Sequence, residues 1–574
     1  MATEMQSRSL IALDRMCHAW QSRFTSGISP AAVALAFSDW SLHLINAPGK
    51  QMELMVRGEQ KVRRLAAHFA LCMQGKGDPP CIDPQAQDRR FRDPEWAQPP
   101  YAFVSQAFLL YQQWWQSATN EVRGVTVHHE QVVSFIVRQL LDIFSPSNSL
   151  FTNPVVLRRT LETGGRNLYQ GLQHMLEDWE RDLMDRGPVG LEDYVVGGNI
   201  AVTPGKVVFR NHLIELIQYE PSTASVHAEP VLIVPAWIMK YYILDLSPHN
   251  SLVKFLVDHG HTVFIVSWRN PTEEDRDLGI RDYLDMGPLS AMEYIRSLIP
   301  EHQIQGIGYC LGGTLMGIAA AALARDGKDW LRSLTLLTGQ VDFSEAGELK
   351  LFVDPAQVAF LEDLMWEQGY LANDQMAGAF QLLRSNDLIW SRMVQEYLLG
   401  ERAPLSDLMA WNADTTRMPF RMHSEYLRHL LLDNELALGR YTVNGRLVSL
   451  PSIRIPTFAV GAERDHVAPW RSVYKADLLT DADVTFLLAS GGHNAGIVSP
   501  PGGYKGYYRT RTSLHGEHYL APDEWLEVAK RETGSWWPAW ESWLAEKASG
   551  QVPPRQPRHP EGLPSAPGHY VLMP

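Results

Sequence analysis

Ile304-Gln-Gly-Ile-Gly-Tyr-Cys310-Leu-Gly-Gly-Thr314-Leu-Met-Gly-Ile-Ala-Ala-Ala-Ala-Leu323 decides how the whole chain is read. It opens as a short apolar strand, turns sharply between glycines and continues as an alanine-rich helix. At its centre Gly308-Tyr309-Cys310-Leu311-Gly312 is a G-x-C-x-G counterpart of the G-x-S-x-G elbow that presents a nucleophile. Glycines permit the close backbone approach that such a strained turn requires. Cys310 would then stand at a helix N-terminus, where free N–H groups and the helix dipole favour a thiolate. Two plainer readings compete. A Cys ahead of such a helix can be a small buried apolar group. Gly306 and Gly308 also begin a dinucleotide fingerprint, which fails because Leu311 occupies its third glycine position.

Working outward, short apolar runs alternate with helical stretches from residue 207 onward. Residues 207–209 and 213–219 read as an antiparallel pair, followed by strands at 231–234, 262–268, 305–309, 333–337, 457–460 and 484–488. Segments such as 251–260 and 314–325 suit crossover helices, so the sheet is expected to be mostly parallel and covered on both faces. The stretch 340–452 is too long for a crossover and carries helical periodicity, which predicts a cap inserted over the site. Before residue 200 the pattern is helical, interrupted by a Pro-rich, charged loop at 75–100. The expected organisation is therefore α/β: an α/β-hydrolase fold with a helical cap, preceded by a helical N-terminal domain. Its parts are 1–200, a catalytic domain at 201–550 and a Pro-rich, extended tail at 551–574.

Composition narrows the function classes. Hydrophobic residues make up 45% and charged residues 20% of 574, which suits a large packed core. A formal charge of −14 argues against nucleic acid as a partner. Four cysteines without a CxxC pair indicate neither a disulfide framework nor a zinc ribbon, and a reduced cytoplasmic setting is expected. The charged N-terminus does not read as a secretory signal, and no stretch reaches the ~20 apolar residues of a transmembrane helix.

An elbow needs an acid and a histidine after it in the order nucleophile, acid, histidine. Behind the strand at 457–460 comes Gly461-Ala-Glu-Arg-Asp465-His-Val-Ala-Pro469, and behind 484–488 comes Ser490-Gly-Gly-His493-Asn-Ala-Gly496. Asp465 is the candidate acid, with Glu463 as its neighbouring rival, and His493 the candidate base, with His466 as an alternative. The order and the strand-end placement favour Cys310, Asp465 and His493 as one triad.

With these residues placed, the chain resembles the polyhydroxyalkanoate synthases of the class I, single-subunit type. The resemblance is carried by Gly308-Tyr-Cys310-Leu-Gly-Gly313, VVFRNHLIELIQYEP, YYILDLSPHNSLVKFLVDHGHTVFIVSWRNP, the cap runs from Asn386 to Trp390 and from Asp407 to Asn412, GAERDHVAPW, SGGHNAGIVSPPG and GSWWPAW. The opening LDRMCHAWQSRFTSGISPAAVALAFSDWSLHLINAPGKQ is similar to an N-terminal helical region found in a subset of these enzymes. One departure stands out: where the family has Pro-Pro-x-Ile-Asn-Lys, this chain has Pro235-Ala-Trp-Ile238-Met239-Lys240.

The resemblance implies polymerisation of (R)-3-hydroxyacyl-CoA, short-chain units such as 3-hydroxybutyryl-CoA, through a covalent thioester on Cys310. It also implies CoA as a leaving group with no cofactor or metal, a homodimer, and association with polymer granules in the cytoplasm. Backbone N–H groups of Leu311 and Ile238 would hold the oxyanion, each such donor being worth roughly 2.7–4 kcal/mol in serine proteases. Either His493 or Asp465 would activate the 3-hydroxyl. A thiol-dependent hydrolase or acyl-CoA thioesterase would share the whole triad, and a noncatalytic granule-coat protein is the reading from another class.

Overall fold

The structure is a computed structural model that describes residues 2–25, 27–73, 80–84, 88–184, 186–372, 375, 389–558 and 560–574. Asn386, Asp387 and Leu388 of the first cap run, and residues 75–79 and 85–87 of the charged loop, lie outside the described residues. The chain packs as two compact units that do not follow chain order. One comprises Met1–Gln21, Gly190–Asn373 and Leu405–Pro574, the other Ser22–Val189 and Asp374–Pro404.

The first unit is built on a ten-stranded sheet: β1 (Gly205–Arg210), β2 (Ile214–Tyr219), β3 (Val231–Val234), β4 (Val263–Trp268), β5 (Ile304–Tyr309), β6 (Leu331–Leu337), β7 (Thr457–Ala462), β8 (Val484–Ala489), β9 (Tyr507–Ser513) and β10 (Lys530–Thr533). The strand order is β1-β2-β4-β3-β5-β6-β7-β8-β9-β10. Strands β3 to β8 run parallel, while β1, β2, β9 and β10 pair antiparallel at the two edges. Every residue of β3, β4, β5, β7 and β8 is buried. Strands covered on both faces read as near-continuous apolar runs, which is why these were recognisable one by one. The α/β-hydrolase architecture expected from the sequence is the one observed.

Two edge strands were not foreseen. Tyr507–Ser513 and Lys530–Thr533 are polar, half-exposed segments. They are strands because they continue the ladder of β8, with Tyr508 opposite Ala489 and Thr512 opposite Thr485, and not because of an apolar pattern.

The C-terminal segment lies along the same unit. Gln551–Val552 pairs with Val226–His227, Val571 is buried, and Lys240 Nζ donates to the Met573 carbonyl at 2.6 Å. At the other end of the chain, His18 Nδ1 meets Asp363 at 2.7 Å and the Arg15 guanidinium lies over the Trp366 ring.

The second unit is helical, with α2 (Pro30–Ile45), α3 (Pro48–Met73), α4 (Tyr101–Thr119), α5 (Val127–Ile143), α6 (Pro154–Glu162) and α7 (Arg166–Leu183), following α1 (Ala2–Thr25). Ser29, Thr126 and Asn153 cap α2, α5 and α6 by accepting free backbone N–H groups. Met393–Leu398 packs on α7: Asn167 Nδ2 donates to the Leu398 carbonyl at 2.7 Å and Tyr397 Oη to Asp178 at 2.8 Å. Among the described residues no single helix is long and apolar enough to cross a membrane.

Candidate active site

Cys310 follows β5 directly and has φ +53° and ψ −122°, a backbone state that L residues rarely occupy. Holding a non-glycine residue there costs on the order of 1–3 kcal/mol and persists only when the surroundings enforce it. They do so by close approach. A Cβ on Gly308 would overlap the Gly312 carbonyl, and one on Gly312 would overlap the Val234 and Pro235 carbonyls. The turn is pinned by Cys310 N–H donating to Leu337 O at 2.8 Å and Gly313 N–H donating to Cys310 O at 2.8 Å.

Gly312→Ala therefore cannot be accommodated without moving the backbone after β3. A loss at the upper end of the roughly 1–3 kcal/mol typical of overpacking is expected, read as a lower urea midpoint. An unchanged midpoint would show that the approach is looser than described.

The helix Leu311–Arg325 starts at the elbow, and its first N–H, that of Leu311, has no acceptor among the described residues. The N–H of Ile238, in the loop after β3, is likewise unbonded among them. That loop is braced from the cap. Thr416 N–H donates to Ile238 O at 3.2 Å, Thr416 Oγ1 to Trp237 O at 2.7 Å and Trp411 Nε1 to Lys240 O at 2.8 Å. Since these bonds run through backbone carbonyls, they do not depend on the Met239 side chain.

Asp465 and His493 follow the C-terminal ends of β7 and β8. His493 Nδ1 lies 2.7 Å from Asp465 Oδ2, while Asp465 Oδ1 accepts the N–H groups of Val467 and Ala468, both at 2.8 Å. The Asp465 side chain is fully buried at 0% exposure, so both of its oxygens are committed away from solvent. The rivals are turned elsewhere: Glu463 is exposed and accepts from Tyr507 Oη at 2.5 Å, and His466 is exposed. Arg464 N–H donates to Gly491 O at 2.8 Å and joins the acid loop to the histidine loop. Trp536 and Trp537 donate from Nε1 to Gly496 O and Ile497 O, which explains the GSWWPAW run as a brace for that loop.

Burial works against a charged ring, but the Asp465 carboxylate and then the Cys310 sulfur outweigh it and hold His493 well above its ordinary 6.5. With Nδ1 engaged by Asp465, Nε2 is the nitrogen left for the sulfur. A raised pKa in the folded state means stabilisation that is complete below about pH 6.5 and is lost as pH rises through the raised value. The difference in urea stability between wild type and His493→Gln should therefore shrink with rising pH above neutrality. A difference that grows with pH would contradict the assignment.

Two neighbours were not anticipated. Tyr426, in the cap, is buried, and its phenol is pushed up by burial first and then by the charge at Cys310. No motif in the sequence marks it, because its proximity arises from folding of the cap. Asn494 accepts from Tyr309 Oη at 2.6 Å, and the Tyr309 ring centroid is 5.8 Å from that of His493. Its position beside His493 in SGGHNAG was the available signal. The one potential metal-holding group among the described residues, His227, His261 and Glu541, includes none of the triad.

Comparison with known proteins bears on the reaction. The family described as "Poly-beta-hydroxybutyrate polymerase (PhaC) N-terminus" matches residues 87–256, and "Poly-beta-hydroxybutyrate polymerase N terminal" matches residues 9–50. The family "alpha/beta hydrolase fold" matches residues 229–500. A poly(3-hydroxyalkanoate) polymerase of Methylorubrum extorquens is 41% identical over 92% of this chain and 87% of its own. The poly(3-hydroxyalkanoate) polymerase subunit PhaC of Rhizobium meliloti (strain 1021) is 39% identical, covering 85% of this chain and 80% of its own. The polymerase subunit of the same name from Cupriavidus necator is 38% identical, covering 81% and 79% respectively.

Proposed function

The chain belongs to the poly(3-hydroxyalkanoate) polymerase family, an acyltransferase family, and from that premise we propose that it polymerises short (R)-3-hydroxyacyl-CoA units through a thioester on Cys310. The observation that carries this reading is the meeting of His493 with Asp465 at 2.7 Å, with the Cys310 sulfur helping to hold the imidazole charged. A thiolate paired with an imidazolium is the reactive form of a nucleophilic cysteine.

In the first step the Cys310 sulfur attacks the acyl carbonyl carbon, and the bond from that carbon to the CoA sulfur breaks. The N–H groups of Leu311 and Ile238 hold the tetrahedral oxyanion, and the His493 proton neutralises the departing CoA thiolate. In the second, neutral His493 Nε2 takes the proton of a 3-hydroxyl whose oxygen attacks the acyl-enzyme. An oxoester forms and Cys310 leaves as thiolate, restoring the ion pair. The burial of Asp465, with both oxygens occupied, supports His493 and not Asp465 as the group that meets the hydroxyl. Asp465 orients the ring. CoA is a substrate fragment in this scheme, and no cofactor takes part.

Incubation of the full chain with 3-hydroxybutyryl-CoA, following CoA release together with turbidity, tests the proposal. Both should rise. CoA release with soluble 3-hydroxybutyrate and no turbidity would identify a thioesterase instead.

We also propose that the helical unit meets the polymer surface. On α7, Tyr169, Leu172, Leu176, Trp179 and Leu183 recur at helical spacing and are 48–70% exposed. Leu176→Glu combined with Trp179→Glu should leave the initial rate of CoA release within about twofold, because surface substitutions away from the chemistry are mild. The same variant should lose sedimentation with polymer granules. Retained sedimentation would exclude α7 as the contact, and a change from dimer to monomer without loss of sedimentation would make this face a subunit interface.

A further inference from the structure

A second cluster of reactive side chains sits at the opposite end of the strands from the triad. Cys310, Asp465 and His493 follow the C-terminal ends of β5, β7 and β8, whereas His227 precedes β3 and His261 precedes β4. Glu541 joins them from the helix Trp537–Glu546, whose buried Trp537, Trp540 and Leu544 fix its position against the sheet. The His227 and His261 rings stack with centroids 4.5 Å apart, and His261 Nε2 lies 3.3 Å from Glu541 Oε1. One donor atom from each of the three residues lies within 4.8 Å of the other two.

Ordinary packing accounts poorly for this arrangement. The His261 side chain is fully buried, and its Nδ1 has no hydrogen-bond partner among the described residues. Buried polar atoms are nearly always satisfied, so the orphaned Nδ1 of a ring that stacks on His227 and meets Glu541 through its other nitrogen calls for an explanation. Two imidazoles and one carboxylate form a borderline N/O donor set, suited to Zn²⁺ and its neighbours and not to Mg²⁺ or Ca²⁺.

We propose that His227, His261 and Glu541 form a binding site for a divalent transition metal such as Zn²⁺, with water completing the coordination. Ligand atoms about 2.0–2.1 Å from a tetrahedral ion stand ~3.4 Å apart, so separations of up to 4.8 Å close by at most about 1.4 Å on binding. His227 and Glu541, which are not fully buried, can make that movement around the fixed His261. The ligands come from three separated parts of the chain, and Val226–His227 itself pairs with Gln551–Val552. Metal bound here would tie the C-terminal helix and strand to the N-terminal ends of β3 and β4 and act as a staple distant from the chemistry.

The test uses the full chain freed of metal by chelator dialysis. Titration calorimetry with Zn²⁺ should show one saturable site per chain, and Co²⁺ should give the intense visible absorption of a tetrahedral N/O site. His227→Asn and Glu541→Gln each spare the buried His261, and each should weaken binding by at least about 100-fold, the upper end of what loss of a merely supporting group costs. Zn²⁺ should raise the Tm of the wild type and leave that of both variants unchanged. Absence of a saturable site or of the Co²⁺ absorption in the wild type would overturn the proposal without reference to any variant. Binding of equal strength in both folded variants would overturn it by placing the ion on other histidines.

Discussion

Cys310→Ala is expected to abolish both CoA release and polymer formation while leaving the protein folded. The thiol is partly buried at the end of β5, and nothing among the described residues bonds to its sulfur as a structural partner except the site itself. Removing one sulfur from such a position costs little stability, and the backbone strain at φ +53° is the same for Ala as for Cys. On the proposed mechanism this variant lacks the nucleophile and with it the covalent step, so the rate should fall by at least about 10⁴-fold. Cys17, Cys72 and Cys81 lie far along the chain from the elbow and should be replaceable with activity retained. The check is CoA release from 3-hydroxybutyryl-CoA, beside a urea midpoint to confirm folding. Near wild-type release from Cys310→Ala would remove the elbow from the chemistry.

The second large effect separates His493 from Asp465. On the proposed mechanism His493→Gln removes both the partner of the Cys310 sulfur and the base that takes the hydroxyl proton, so neither acylation nor elongation should be measurable. Asp465→Asn keeps the shape of the site but reverses one hydrogen bond. The amide would donate toward His493 Nδ1 and leave the ring proton on Nε2, the wrong tautomer for accepting a proton. The same substitution in a serine protease lowers kcat about 10⁴-fold, and a fall of that order is expected here. Because Asp465 acts through the ring, both steps should slow and radiolabelled acyl-enzyme should not accumulate. Build-up of labelled enzyme without chain growth on Asp465→Asn would transfer hydroxyl activation from His493 to Asp465.

Most of this site was legible before any fold was known. The strands of the central sheet announced themselves because burial on both faces demands unbroken Val, Ile and Leu, as in Val231–Val234. The elbow was legible because the turn at Cys310 tolerates only glycine at Gly308 and Gly312. Loop order then pointed to Asp465 and His493. Between Asp465 and Glu463, however, the sequence could only express a preference. The choice rests on a turn that sends Glu463 outward to Tyr507 and buries Asp465 against His493.

Other features depended wholly on tertiary packing. β9 and β10 carry polar, half-exposed residues, and the neighbouring strand makes them strands. Met393–Leu398 groups with α7, although it lies between β6 and β7 in the chain. An amphipathic pattern shows which face of a helix is buried but not which surface buries it. Tyr426 reaches the neighbourhood of Cys310, and His227 and His261 reach Glu541, across long stretches of chain. Local sequence thus determined the chemistry that each loop could offer, since backbone strain and burial restrict residue type position by position. Only the folded chain decided which distant groups share one site, because that proximity comes from the packing of elements whose spacing in sequence carries no record of it.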